Sequence, residues 1–367
     1  MSVEFHNLTV SKVNPETEDA VSVSFKVPNE LKETFQYTQG QYLTLKFEIG
    51  GKEERRAYSM SSSPLESDLT VSVKRVAKGK VSNHLCSNVK VGDLVSVMPP
   101  QGRFHTPLSI EQRKTYFMFS AGSGITPLMS ILKTILESEP ASVVHLLYGN
   151  RSEDSIIFKQ QLADLVKKYA GQLTVEHVLS QPKKEKSGGL SGLFSKGKIT
   201  WEGKVGRIDK SVIESFLNQN PSRTKAAEYF VCGPNGMISA VEHTLQALEI
   251  DKKNVHIEHF SSDSSAESKS TGVVVDGTKL IVHLNSVRIE ATMKAKETVL
   301  DTMIAMKKEA PYSCTSGACS TCMAKVIKGS VKMTACYALD DDEVANGYIL
   351  TCQAHPTSAE LEITYDV

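Results

Sequence analysis

Three cysteines within nine residues, in the stretch PYSCTSGACSTCMAKVIKG (residues 311–329), restrict what this chain can fold into more than any other feature. Cys314 is followed after four residues by Cys319, after two more by Cys322, and after a further twenty-nine by Cys352. Two irons bridged by two sulfides need four thiolates on one compact site, and this spacing is the one such a [2Fe–2S] cluster uses. A tight loop supplies three ligands and a distant element closes the cage. Ser313, Thr315, Ser316, Gly317, Ala318, Ser320 and Thr321 lie before and between the ligands, and small residues there let backbone N–H groups approach the sulfurs and tune the cluster. Structural zinc is the competing reading, but zinc sites favour close cysteine pairs at both ends, and Cys352 has no near partner. Cys336, off the spacing, reads as a buried thiol.

Seven cysteines fit poorly with a disulfide framework. The first twenty residues carry acids and no apolar core, and no run approaches the roughly 18 apolar residues of a membrane span. The expectation is a cytoplasmic protein, where clustered thiols are ligands or catalytic groups. Lys plus Arg and Asp plus Glu balance at 42 each, so bulk charge gives no reason to expect nucleic acid as a partner.

The 367 residues exceed one ordinary core. Up to about Pro107 the apolar residues alternate in short runs (Val21, Val23, Phe25 and Val27; Tyr42, Leu43, Leu45 and Phe47; Val71 and Val73; Leu94, Val95 and Val97), which predicts an antiparallel β-barrel over residues 1–107. Over 108–260, apolar strands (TYFMFSAG, SVVHLLYG, LTVEHVLS, AEYFVCGP) alternate with helical stretches (PLMSILKTILE, IIFKQQLADLVKKY, ISAVEHTLQAL), the rhythm of an α/β domain with a parallel sheet. Residues 182–204 interrupt it with Gly, Ser and Lys and read as a surface insertion, in which Leu193, Phe194 and Trp201 keep a partner-binding reading open. Residues 261–271, SSDSSAESKST, have the composition of a linker, whose r.m.s. reach is about 17–20 Å. A third domain over 272–367 begins with strand-like GVVVDG and KLIVHL, has a helix at about Val299–Glu309, and holds the cysteine loop.

One-electron clusters need a converter from a two-electron hydride donor, and a flavin would serve. In RAYSMSSSP, which follows a strand, Arg56 can pair with a phosphate and Tyr58 can lie against an isoalloxazine ring, with Ser59 beside them. In KGKVSNHL, Gly79, Val81 and Ser82 can open a helix whose N-terminus receives a pyrophosphate. His84 reads as a packing residue. FSAGSGITPLMSIL joins strand to helix through Gly122 and Gly124, with Thr126 as N-cap and Pro127 in the first turn. Pro127 stands where the dinucleotide fingerprint would have its third glycine. FVCGPNGMISAV ends a strand on Cys232 and turns on Gly233, where strand C-termini line a ligand crevice. Asn150, Arg151 and Ser152 follow another strand without an immediate acid. An arginine there accommodates a 2′-phosphate, so NADPH is expected over NADH, although Glu153 and Asp154 are close.

In this order, R-x-Y-S, G-S-G-I-T-P and C-G-P resemble the ferredoxin–NADP reductase superfamily over about residues 1–260. The segment from about 272 resembles plant-type ferredoxins, which implies a β-grasp fold. The whole chain looks like the reductase components of oxygenase systems, among them the phenylacetyl-CoA epoxidase reductases and the steroid-hydroxylase reductases. That resemblance implies FAD bound non-covalently by Arg56, Tyr58, Ser59, Gly79 and Ser82, and NAD(P)H along Gly122, Thr126, Cys232 and Gly233. It also implies electrons leaving through the cluster to an oxygenase, hydroxylase or other redox protein. Glu258 and Phe260 match the E-x-F ending of the reductase module, whose aromatic lies near the flavin, but here the chain continues beyond it. A self-contained flavoprotein reducing a small acceptor such as a quinone, and a non-catalytic electron carrier or zinc module, are the alternatives.

Overall fold

The computed structural model describes residues 4–185, 198–260 and 275–366. The linker 261–271, with Leu193 and Phe194 of the insertion, lies outside the described residues.

In the first domain, β1 (His6–Thr17), β2 (Ala20–Lys26), β3 (Tyr42–Ile49), β4 (Lys52–Ser59), β5 (Leu69–Lys74) and β6 (Leu94–Gln101) form an antiparallel sheet in the order β4-β3-β6-β1-β2-β5. A bridge between Met60 and Val71 joins its two ends. Period-2 alternation turns Val10, Val23, Phe25, Leu43, Leu45, Val71 and Val97 inward to a common core. Each fully buried side chain of this kind contributes roughly 1.5–3 kcal/mol. Helix α1 (Lys80–Ser87) covers that core with Val81 and Leu85.

In the second domain the strands are β7 (Thr115–Ala121), β8 (Val143–Asn150) and β9 (Leu173–Leu179), then the ribbon β10 (Lys184–Glu185) and β11 (Lys198–Ile199), then β12 (Lys204–Val205), β13 (Ala227–Cys232) and β14 (Val255–Glu258). All except the ribbon form one parallel sheet, ordered β12-β9-β8-β7-β13-β14. Helices α2 (Ile125–Ser138) and α3 (Lys159–Lys168) cover one face, and α4 (Lys210–Gln219) and α5 (Asn235–Ala247) the other. Along β7, Tyr116 and Met118 enter the first core and Phe117 and Phe119 the second. The sequence reading passed over α4, whose Asp209 cap accepts from Val212 N. At the end of the insertion, Trp201 packs on the core beneath α2 and α3, and its indole N–H donates to Lys204 O.

The third domain is a five-stranded mixed sheet, β16-β15-β21-β17-β19, with β15 parallel to β21. Its strands are β15 (Lys279–Leu284), β16 (Val287–Thr292), β17 (Met323–Lys328), β18 (Val331–Met333), β19 (Tyr348–Leu350), β20 (Ala354–Pro356) and β21 (Glu360–Thr364), with β18 pairing β20 apart from the main sheet. It grips α6 (Val299–Ala305) through Val299, Leu300 and Met303, the β-grasp arrangement. The expected helix over Val299–Glu309 is four residues shorter. Of the expected strand GVVVDG, the described part, Val275–Gly277, is a turn rather than a strand. A short helix, α7 (Asp341–Ala345), precedes β19.

The domains touch through polar seams. Ser130 donates to Ser62 O and Ser63 meets Thr134 between barrel and α2. Tyr42 meets Thr321, Thr44 donates to Ser313, and Arg103 forks onto Glu343, which seats the cysteine loop on the barrel.

Candidate active site

The parallel sheet grows from β7 through β8 and β9 to one side and then through β13 and β14 to the other, so its switch point lies between β7 and β13. The C-terminal ends of these strands open a cleft of about 1310 Å³ lined by Gly122, Gly124, Arg151, Gly233 and Phe260 among others. Gly122 has φ +57, and its carbonyl accepts from Tyr148. Gly124 admits no side chain: a Cβ there would sit 2.0 Å from Cys232 O. Gly124 thus lets the turn before α2 pack directly on the end of β13.

Thr126 is not the N-cap. A 3₁₀ turn over Gly122–Gly124 leads into α2 with Gly124 as its cap, and Thr126 lies in the first helical turn, donating to Ser123 O. Arg151 is exposed on the cleft wall, joined by Arg207, which sequence reasoning missed. Arg207 follows β12, so the rule that strand C-termini line the crevice would have nominated it had the two-residue strand been visible. Asp154 is ion-paired to Lys183 at 2.6 Å, and Glu153 accepts from Lys183 N.

Parallel pairing sets Cys232 opposite Glu258. Cys232 is fully buried, and burial pushes its thiol well above the usual range. Glu258 is half-buried as a whole residue, but its carboxyl end is enclosed. That burial raises its pKa to about 8, with the Ser59 hydroxyl, 3.3 Å away, pulling the other way. A neutral carboxyl, a neutral thiol and a serine hydroxyl therefore meet where barrel and sheet join. Phe260, two residues on, is 38% exposed and lines the cleft.

Arg56, Tyr58 and Ser59 are the end of β4 itself, not a loop after it. Arg56 is ion-paired to Glu54 at 3.4 Å, and Glu54 also binds Lys80 at the start of α1, which holds its carboxyl below the usual range. Burial keeps the Tyr58 phenol neutral. Gly79 caps α1 without a side-chain bond. Val81 packs in the barrel core, so only its backbone N–H is left for a ligand, and the Ser82 hydroxyl accepts from Val76 N. His84 packs against Phe47, ring to ring at 5.0 Å.

The four spaced cysteines are free and converge as two pairs, Cys314 with Cys319 and Cys322 with Cys352. The hydrogen bond shared by Cys314 and Cys319 lowers the Cys314 thiol, helped by the N–H of Ser316, and raises that of Cys319. Backbone N–H groups reach the sulfurs at 3.5 Å (Cys314 to Cys319) and 3.4 Å (Ser316 to Cys314). Gly317 has φ +75, and a Cβ there would come 2.8 Å from Ala335 O. Among the described residues no three metal-binding side chains gather for a single ion. Two cysteine pairs in a loop whose N–H groups reach the sulfurs fit a two-iron cluster, in which each pair would serve one iron, better than a single zinc. Cys336 is half-buried on the domain core, apart from the pairs.

Known proteins match this layout throughout. Residues 7–106 match the oxidoreductase FAD-binding domain, residues 118–243 the oxidoreductase NAD-binding domain, and residues 282–357 the 2Fe-2S iron-sulfur cluster binding domain. The chain is 36% identical to a subunit of 1,2-phenylacetyl-CoA epoxidase from Escherichia coli K12, over 99% of this chain and 98% of that protein. It is also 36% identical to the ferredoxin reductase component of 3-ketosteroid-9-alpha-monooxygenase from Rhodococcus rhodochrous, over 98% and 96%. Phthalate dioxygenase reductase, at 21% identity, shares the fold over 98% of both chains with a TM-score of 0.61. No described helix is long and apolar enough to cross a membrane. The chain therefore belongs to the family of oxygenase reductase components that carry FAD-binding, NAD-binding and 2Fe-2S domains in a single polypeptide.

Proposed function

We propose that the chain takes a hydride from NADPH in the cleft between β7 and β13 and delivers single electrons to an oxygenase through the cysteine loop. The domains divide at 1–107, 108–260, the linker 261–271 and 272–367. The observation that carries this reading is that Ser59, Cys232 and Glu258, from three elements of two domains, meet just behind the cleft, beside its lining residues Gly233 and Phe260. When bound, the flavin supplies two-electron to one-electron conversion and the cluster supplies one-electron transfer.

The chain's own residues hold and orient. Arg56 and the α1 N-terminus at Gly79 and Ser82 receive the pyrophosphate of FAD, and Tyr58 lies along the ring. Gly122, Gly124, Thr126 and Gly233 let the nicotinamide half settle over the strand ends. Cys232 and Glu258 stay uncharged beside it, with Ser59 bonded to the carboxyl. Phe260 covers the ring and excludes water. Cys314, Cys319, Cys322 and Cys352 hold the cluster. Use of four clustered cysteines as ligands rather than in disulfides supports a reducing, cytoplasmic setting.

The preference for NADPH is supported by Arg151 and Arg207 on the cleft wall and by the diversion of Glu153 and Asp154 to Lys183, which leaves the 2′-position facing positive charge. The test is steady-state reduction with both nucleotides. Arg151→Ala should lower kcat/KM for NADPH by about tenfold or more while leaving NADH nearly unchanged, as expected for losing a charge-assisted bond. Equal losses with both nucleotides would reject the assignment.

A further inference from the structure

His259 immediately precedes Phe260, and its ring is held from two domains. Strand β14 ends at Glu258, so His259 and Phe260 lie beyond the sheet. On one side the imidazole Nδ1 lies 3.0 Å from Asn235 Oδ1, a carbonyl oxygen that can only accept, so Nδ1 carries the hydrogen. Asn235 opens α5 and lines the cleft. On the other side the ring stacks on Tyr337 of the third domain, with centroids 4.5 Å apart and planes inclined by 26°. Tyr337 is tied in turn to the cysteine loop, because its N–H donates at 3.0 Å to the carbonyl of Gly317, between Cys314 and Cys319. The next carbonyl along, Ala338 O, accepts from Arg103 of the barrel at 2.8 Å. Both neighbours of His259 in the chain serve the candidate site: Glu258 is bonded by Ser59, and Phe260 lines the cleft.

A nicotinamide settling over Gly233 and the strand ends contests the space of Phe260, because both residues line the same cleft. Moving Phe260 aside drags on His259, to which it is covalently joined, and so works against the stack with Tyr337. We propose that Tyr337 is a positioning residue that, through His259, holds Phe260 in the cleft while the cysteine loop is seated on the barrel. With the third domain seated, the nicotinamide position is closed. With that domain away at a protein partner, the stack is broken and the position opens to the next nucleotide. The coupling is reciprocal, so a bound nucleotide loosens the seat by the same factor. The proposal rests on the reading of Phe260 as the aromatic that covers the flavin ring, which Phe260→Ala checks separately.

The experiment is a calorimetric titration of the oxidised, full-length, cluster- and FAD-loaded protein with NADP+. Tyr337→Ala removes the stack, and Tyr337 is not among the cleft-lining residues. At unchanged iron and flavin content its Kd for NADP+ should fall about three- to tenfold, the range a lost aromatic stack spans. Tyr337→Phe keeps the ring and should bind as the unsubstituted protein does. Arg103→Glu, which repels Glu343 and weakens the seat without touching the cleft, should tighten binding in the same direction. Phe260→Ala should tighten it too, and adding Tyr337→Ala should go little further, since both act on one aromatic. A Kd for Tyr337→Ala equal to or above that of the unsubstituted protein would overturn the proposal, as would full additivity with Phe260→Ala. Should Phe260→Ala itself leave binding unchanged, the reading of Phe260 fails and the proposal with it. Tightening in Phe260→Ala without tightening in Tyr337→Ala or Arg103→Glu rejects the proposal alone.

Discussion

Glu258 shows how much one residue's surroundings decide. Its carboxyl pKa is raised, so the folded chain takes up a proton that the unfolded chain does not hold at neutral pH. The stability tied to that proton is complete below the ordinary carboxyl range, declines as pH rises above it, and is gone once pH passes about 8. Thermal unfolding followed from weakly acid to alkaline pH should show this decline, and Glu258→Gln, which mimics the protonated acid, should flatten it. An unchanged slope in Glu258→Gln would place the titration elsewhere. The four cysteines that pair in the structure were legible because their spacing is itself a chemical pattern. The contact of Tyr42 with the cysteine loop was not, because an isolated tyrosine in an alternating strand looks like any other buried residue until Thr321, 279 positions later, is brought against it.

At the scale of elements, a tight constraint is the meeting of the turn before α2 with the end of β13. A Cβ at Gly124 would need the Cys232 carbonyl, 2.0 Å away, to retreat. Gly124→Ala should therefore destabilise the fold by roughly 1–3 kcal/mol, as overpacking does, and weaken nucleotide binding. The lowered denaturation midpoint and the raised KM are the checks, and a stability equal to that of the unsubstituted chain would show that the turn yields. Strongly periodic elements such as α2 and β7–β9 could be read from sequence because their apolar pattern is long and unbroken. Helix α4 and the two-residue β12 could not: α4 buries only Ile213 and Phe216, and β12 is too short to show any period. R-x-Y-S read as the turn after a strand because its polar residues masked the end of β4, where Arg56 and Tyr58 pair across to Leu45 and Leu43.

Over the whole molecule, order along the chain gave three domains, but how they sit together depends on contacts that no local pattern announces. Arg55 of β4 over Tyr312 at 4.2 Å and the stacked rings of His259 and Tyr337 at 4.5 Å hold the third domain on the other two, and the Tyr42–Thr321 and Thr44–Ser313 bonds place the cysteine loop against β3, whose neighbour β4 carries Arg56, Tyr58 and Ser59. The β3–β4 ladder thus lies between the candidate hydride site and the cluster. Electrons from NADPH should reach a protein partner only through the cluster, and Cys352→Ser tests this. Cys352 lies at the far end of the chain from the barrel and cleft motifs, so its loss should weaken or remove the cluster and leave those domains intact. Parallel assays with NADPH should then show ferricyanide reduction, which can draw on the flavin directly, retained, and reduction of cytochrome c or an oxygenase partner falling by at least about tenfold. Partner reduction that survives Cys352→Ser unchanged would contradict the account and leave a self-contained flavoprotein in its place.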